Sequence, residues 1–105
     1  MARVVFTASA DADSASILVD LNTKAGKPAV VRYLALFRKF YEHLADFPDS
    51  GAQRNVGPTI RIGIVSPYIV IYRYMEADST VMVLRIVHGC RKITGKLLSA
   101  GAGSS

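Results

Sequence analysis

The sequence predicts an α+β domain: an N-terminal edge strand, an antiparallel helical hairpin, and a C-terminal three-stranded antiparallel meander on which the hairpin packs. Three observations carry this. Between residues 59 and 91, three runs rich in β-branched and aromatic residues follow one another, separated by Ser66-Pro67 and by residues 76–79. Runs punctuated this closely read as a meander. Upstream, apolar residues recur at helical spacing over two stretches divided by Gly26-Lys27-Pro28. Residues 3–7 (RVVFT) look like a strand too short to stand alone, so they must join the sheet.

In chain order, Thr7 or Ser9 is placed to cap the first helix, and Asp11 and Asp13 sit where the helix dipole favours negative charge. Ala10, Ser14, Ile17, Leu18, Leu21 and Ala25 form one apolar stripe. Gly26-Lys27-Pro28 stops that helix and starts another, with proline where a first turn tolerates it. The second helix is expected over about residues 29–45, burying Leu34, Phe37, Tyr41 and Leu44 and exposing Arg38, Lys39 and Glu42. Phe47-Pro48 ends it, and the short link makes the pair a hairpin. Residues 49–58 read as a loop, 91–98 as a short basic segment and 99–105 as a flexible tail, giving one domain over residues 1–98.

Alternation along the strands sorts the sheet into two faces. One holds Ile60, Ile62, Ile64, Val70, Tyr72, Tyr74, Met82, Leu84 and Ile86, and is the expected face for the helices, centred on Ile62, Tyr72 and Leu84. The other holds Arg61, Val65, Ile69, Ile71, Arg73, Val81, Val83, Arg85 and Val87. It is largely apolar with one arginine per strand, more apolar than a solvent face should be. A partner chain is the expected cover; a bulge that upsets the alternation, or the C-terminal tail, would account for it otherwise.

The chain has 105 residues, half of them hydrophobic, which suits one domain with its own core. A single cysteine, Cys90, fits a reducing cytoplasm, and neither a signal peptide nor a membrane span is expected. The net charge is +5, and no acidic residue follows Asp78, whereas Arg85, Arg91, Lys92 and Lys96 do. A basic C-terminal part calls for an acidic partner, nucleic acid or protein.

Catalytic and metal chemistry find little support. His88 and Cys90 are close, but the other histidine, His43, lies on a helix, so no ligand set of metal-site spacing forms and no metal or other cofactor is expected. Neither glycine-rich phosphate motif occurs. RNA cleavage needs a base, an acid and cations at the phosphate. Arg61, Arg85 and His88 could supply part of that set, with no carboxylate of the second half outside a loop. The sheet arginines are equally suited to bind carboxylates of a partner protein.

The order of these features resembles the ParE toxins of the RelE/ParE superfamily. The resemblance is carried by RVVFTASADAD (residues 3–13), VRYLALFRKFYEHLADFPDSG (31–51), VGPTIRIGIVSPYIVIYRY (56–74) and VMVLRIVHGCRK (81–92), together spanning about residues 2–93. The chain departs from the family pattern at Ala8-Ser9, where many relatives start the helix with proline, and at Cys90, where arginine often follows His-Gly. The resemblance implies a non-enzymatic toxin of a type II toxin–antitoxin system that inhibits DNA gyrase and is neutralised by a ParD-like antitoxin, touching DNA only through that antitoxin. On that reading, the antitoxin is expected on the arginine-dotted sheet face at Ile69, Ile71, Arg73, Val83 and Arg85 and on the exposed side of the hairpin at Arg32 and Lys39. The target is expected at the basic C-terminal segment, His88, Arg91 and Lys92. The alternatives are a ribosome-dependent mRNA interferase using Arg61, Arg85 and His88, and a non-toxic relative that only binds its antitoxin. Ile69, where the interferases often have arginine, and His88-Gly89, where some end in His-Tyr, both argue against cleavage.

Overall fold

Thr7 explains how the strand hands over to the helix. In the computed structural model, which describes residues 1–49 and 60–89 and the backbone of 52–53, its side-chain oxygen accepts from the Ala10 N–H at 3.0 Å. The same hydroxyl donates to the Leu84 carbonyl at 2.9 Å, and its backbone N–H donates to Val83 O at 3.0 Å. One residue thus caps the helix and ties its start to the last strand.

Strand β1 (Arg3–Phe6) leads into the helical element α1 (Ala8–Asp46), which is followed by β2 (Ala52–Gln53), β3 (Ile60–Val65), β4 (Tyr68–Met75), a 3₁₀ turn (Glu76–Asp78) and β5 (Thr80–His88). Helical geometry in α1 breaks at Gly26, with φ of 80° and ψ of −178°. A positive φ of this kind is natural only for glycine. Pro28 lies in the first turn of the arm that follows, as expected. The two arms, residues 8–25 and 27–46, run back along each other. Asp13 meets β5, and Ala45 O accepts from the Ala2 N–H at 2.7 Å.

The sheet order is β1-β5-β4-β3-β2, with β1 parallel to β5 and the other pairs antiparallel. β1 is therefore an edge strand and β3-β4-β5 the meander, as the sequence predicts. Strand β2, two residues inside the expected loop, adds a second edge. The remainder of that loop, apart from Asp49, lies outside the described residues, as do the basic segment and the tail.

The face assignment needs correction. Across the Ser66-Pro67 turn, Ile60 pairs with Arg73 and Val65 with Tyr68, so every even residue of β3 stands beside an odd one of β4. Paired residues share a face, and the even residues of the two strands therefore lie on opposite faces. Between β4 and β5, Tyr72 pairs with Val83 but Ile71 with Arg85. Leu84 is the extra residue of a bulge, and the phase flips there.

The helix-facing core consequently contains Val65, Val70, Tyr72, Val81, Val83 and Ile86, packed with Ala10, Phe37 and Leu44. Tyr72 is on this face as expected; Ile62 and Leu84 are not. They join Ile60, Ile69, Ile71, Met82 and Val87 in a second apolar cluster on the outer face. The outer face is thus apolar, as the sequence suggests, with different members. Leu34, expected in the core, is 46 % exposed, while Phe40 packs against it.

Candidate partner-binding surfaces

The arms of α1 leave a groove between them. Its walls are Ile17 and Leu18 of the first arm and Leu34, Phe37 and Tyr41 of the second, with Val4 of β1 at its floor. Its volume is about 530 Å³. Ser14 and Ala45 also line it, and among the described residues Arg38 and Glu42 are its only charged lining residues. Phe37 belongs at once to this lining and to the helix-facing core, against which Val4, Ile17 and Tyr41 also pack.

Aromatic packing makes the second arm a stiff wall. Tyr41 meets Phe6 edge-on at 5.0 Å between ring centroids, stacks on Phe37 at 6.2 Å and contacts Phe40 at 5.8 Å. Burial pushes the Tyr41 phenol well above its ordinary ionisation range.

A second surface lies where β5 ends. His88 is exposed and its ring sits edge-on to Tyr68 at 5.9 Å. Tyr68 in turn meets Tyr33 of the second arm at 5.7 Å, and the Arg32 guanidinium lies 5.9 Å from the Tyr33 ring centre. Gly89 donates its N–H to Pro67 O at 2.7 Å, and a Cβ at Gly89 would come within 2.8 Å of that same oxygen. The glycine of the His-Gly pair is thus required by the close approach of two backbones.

The residues considered for RNA cleavage do not converge. Arg85 Nε and Nη2 donate to Asp13 at 2.7 and 3.0 Å, and Asp13 Oδ2 also accepts from the Ile86 N–H at 2.9 Å. That hydrogen bond raises the Arg85 pKa against the opposing effect of burial. Arg61 stands level with Tyr72, and His88 with Tyr68 two strands over. Their backbones are separated by about 13 Å along the strands and roughly 10 Å across them.

Of the expected antitoxin contacts, Arg73 is exposed and Ile69 half-buried on the outer face, where Ile71 is also found but buried. Val83 belongs to the opposite, helix-facing core, a consequence of the register. Arg85 is committed to Asp13. Arg61, which faces the helices beside Gly63, does not join Arg73 on one face either. Arg32 and Lys39 are exposed on the second arm. Arg91 and Lys92, expected to bind the target, and Cys90 lie outside the described residues. Among the described residues, no three His, Cys, Asp or Glu side chains gather to hold a metal, and no helix is long and apolar enough to cross a membrane.

Sequence reasoning missed the groove and the role of Asp13. Ile17, Leu18 and Leu34 were visible as stripe residues but indistinguishable from core. Asp13 read as a helix-dipole residue, and nothing local points to a partner 72 positions away.

A broken helical hairpin on one face of a five-stranded mixed sheet defines a small α+β fold that solved structures share. The structure of a chromosomal ParDE toxin–antitoxin system from P. aeruginosa is similar, with a TM-score of 0.69 and 20 % identity over 84 % of this chain and 96 % of that one. The toxin–antitoxin complex RelBE2 from Mycobacterium tuberculosis is similar too, with a TM-score of 0.60 and 23 % identity over 83 % of this chain and 96 % of that one. The comparison with curated proteins gave no match. The family described as the ParE toxin of the type II toxin–antitoxin system parDE matches residues 4–93, and the chain belongs to that family.

Proposed function

We propose that this protein is a cytoplasmic toxin that inhibits DNA gyrase by binding it, without chemistry of its own, and that a ParD-like antitoxin seated in the groove of the hairpin neutralises it. The observation that carries the choice of binding over catalysis is the commitment of Arg85 to Asp13. The guanidinium that an RNase reading would aim at phosphate is spent on an internal carboxylate, and Arg61 and His88 stand at separate corners of the sheet. His88, exposed where β5 passes into the basic residues Arg91 and Lys92, is the natural centre of a target-binding surface. The groove supports the antitoxin reading, because an apolar cleft between two helices accepts the apolar face of a third.

A supercoiling assay with purified gyrase, run beside an in vitro translation reaction, tests this. Trapped cleavage complexes with intact translation are expected. Cut messenger RNA with gyrase unaffected would move the function to RNA cleavage, and silence in both would leave an antitoxin-binding relative without toxicity.

A further inference from the structure

We infer that Arg38 and Glu42 select the helix that occupies the groove: its partner presents a carboxylate to Arg38 and a cationic side chain, one helical turn away, to Glu42. The inference rests on the antitoxin-binding reading of the groove and adds to it the residues that would decide which antitoxin fits.

The argument begins with the two side chains themselves. Among the described residues they are the only charged ones lining a mostly apolar groove, and both are exposed. Four positions apart on the same arm, they stand about 6 Å apart along the helix axis, within reach of each other. Yet among the described residues the ion pairs are Lys24 with Asp20 and Arg85 with Asp13, and neither Arg38 nor Glu42 takes part in one. Arginine placed before glutamate is also the weaker order for such a pair within one helix. Both charges are therefore available to a partner.

The groove dictates the partner's conformation. Apart from Val4 of β1, the side chains that line it come from the two helical arms, a surface that suits the side chains of a third helix. A helix satisfies its own backbone and brings only side chains to the cleft. Its apolar stripe meets Ile17, Leu34 and Phe37, and the flank of that stripe passes Arg38 and Glu42. Apolar contact supplies affinity without discrimination, since one amphipathic helix buries a stripe much as another does. Opposed charges at the rim add discrimination, because a partner with the signs reversed sets like charges against each other at two places.

A displayed library of amphipathic helices tests this, with a fixed leucine stripe and random residues at two flanking positions one turn apart. It is selected against the full-length chain and, separately, against the double variant R38E/E42R. Binders to the original chain are expected to carry one acidic and one basic flanking residue, and binders to the variant the same pair in reversed positions. Each should lose about tenfold or more in affinity when moved to the other target. Flanking residues that are the same in both selections would overturn the inference. So would a library that yields no binder, or binders unaffected by Leu34→Asp in the groove wall. Its failure leaves the gyrase assay untouched, and a negative gyrase assay leaves the selection intact, so the two readings fail separately.

Discussion

Asp13, in the second turn of the hairpin, holds Arg85 through both carboxylate oxygens while also accepting the Ile86 N–H. The position of this contact explains it. Strand β1 covers β5 only as far as Val83, and beyond that the edge of β5 has no strand neighbour among the described residues. Thr7 and Asp13 take over there, supplying partners to the Leu84 carbonyl and the Ile86 N–H. The bulge at Leu84 falls in the same place.

This pair should matter for stability, because both side chains are more than four-fifths buried. Asp13→Ala leaves a guanidinium and a backbone N–H without their acceptor, and a loss of about 3 kcal/mol is expected in urea unfolding. Arg85→Ala should cost less, since Asp13 keeps the Ile86 N–H. The double variant should be more stable than the sum of the two losses implies. Strict additivity would mean that the contact contributes nothing as a pair.

Gly63 and Phe40 form a tighter constraint. A Cβ on Gly63 would come within 2.6 Å of Phe40 Cε1, in the space where the hairpin lies against β3. Gly63→Ala should therefore destabilise the fold by roughly 1–3 kcal/mol through overpacking. Placing it on a Phe40→Leu background should recover part of that loss, and thermal unfolding of the four variants would show whether it does.

Stability should also fall at alkaline pH. The Tyr41 phenol ordinarily ionises at 10.0, and burial raises this in the folded chain. Above pH 10 the unfolded chain releases the proton while the folded chain retains it, so the unfolded state gains. The contribution is complete below pH 10 and is lost as pH rises toward the folded value. Tyr41→Phe should flatten the decline in ΔG of unfolding measured between pH 9 and 11; an unchanged slope would assign it to other groups.

The groove can be separated from the fold by Leu34→Asp. Leu34 is 46 % exposed, so the change should shift unfolding by no more than about 0.5–1 kcal/mol. Burying a carboxylate against Ile17 and Phe37 in a complex is far more costly. Titration calorimetry with the cognate antitoxin should show binding weakened by about a hundredfold or more, and toxicity that the antitoxin no longer suppresses. Retained affinity would place the antitoxin elsewhere, with the outer face and Arg73 the next surface to test.

What the sequence determined by itself were the elements that arise from local chemistry. The limits of β4 and β5, a cap at Thr7 or Ser9, the break at Gly26 and the end of the hairpin at Phe47 follow from spacing, capping side chains and turn residues within a few positions, and the structure selects Thr7 as the cap. The parts decided only by the tertiary structure depend on register. Alternation states which residues of one strand share a face, but not which face of the next strand they join. A two-residue turn set β3 out of phase with β4, and one extra residue at Leu84 reset the phase of β5, so Val83 and Leu84 exchanged places relative to expectation. The Asp13–Arg85 contact and the groove are non-local in the same way. Whether an apolar residue such as Leu34 fills a core or lines a cleft depends on what the rest of the chain packs against it, and Leu34 lines the cleft, 46 % exposed.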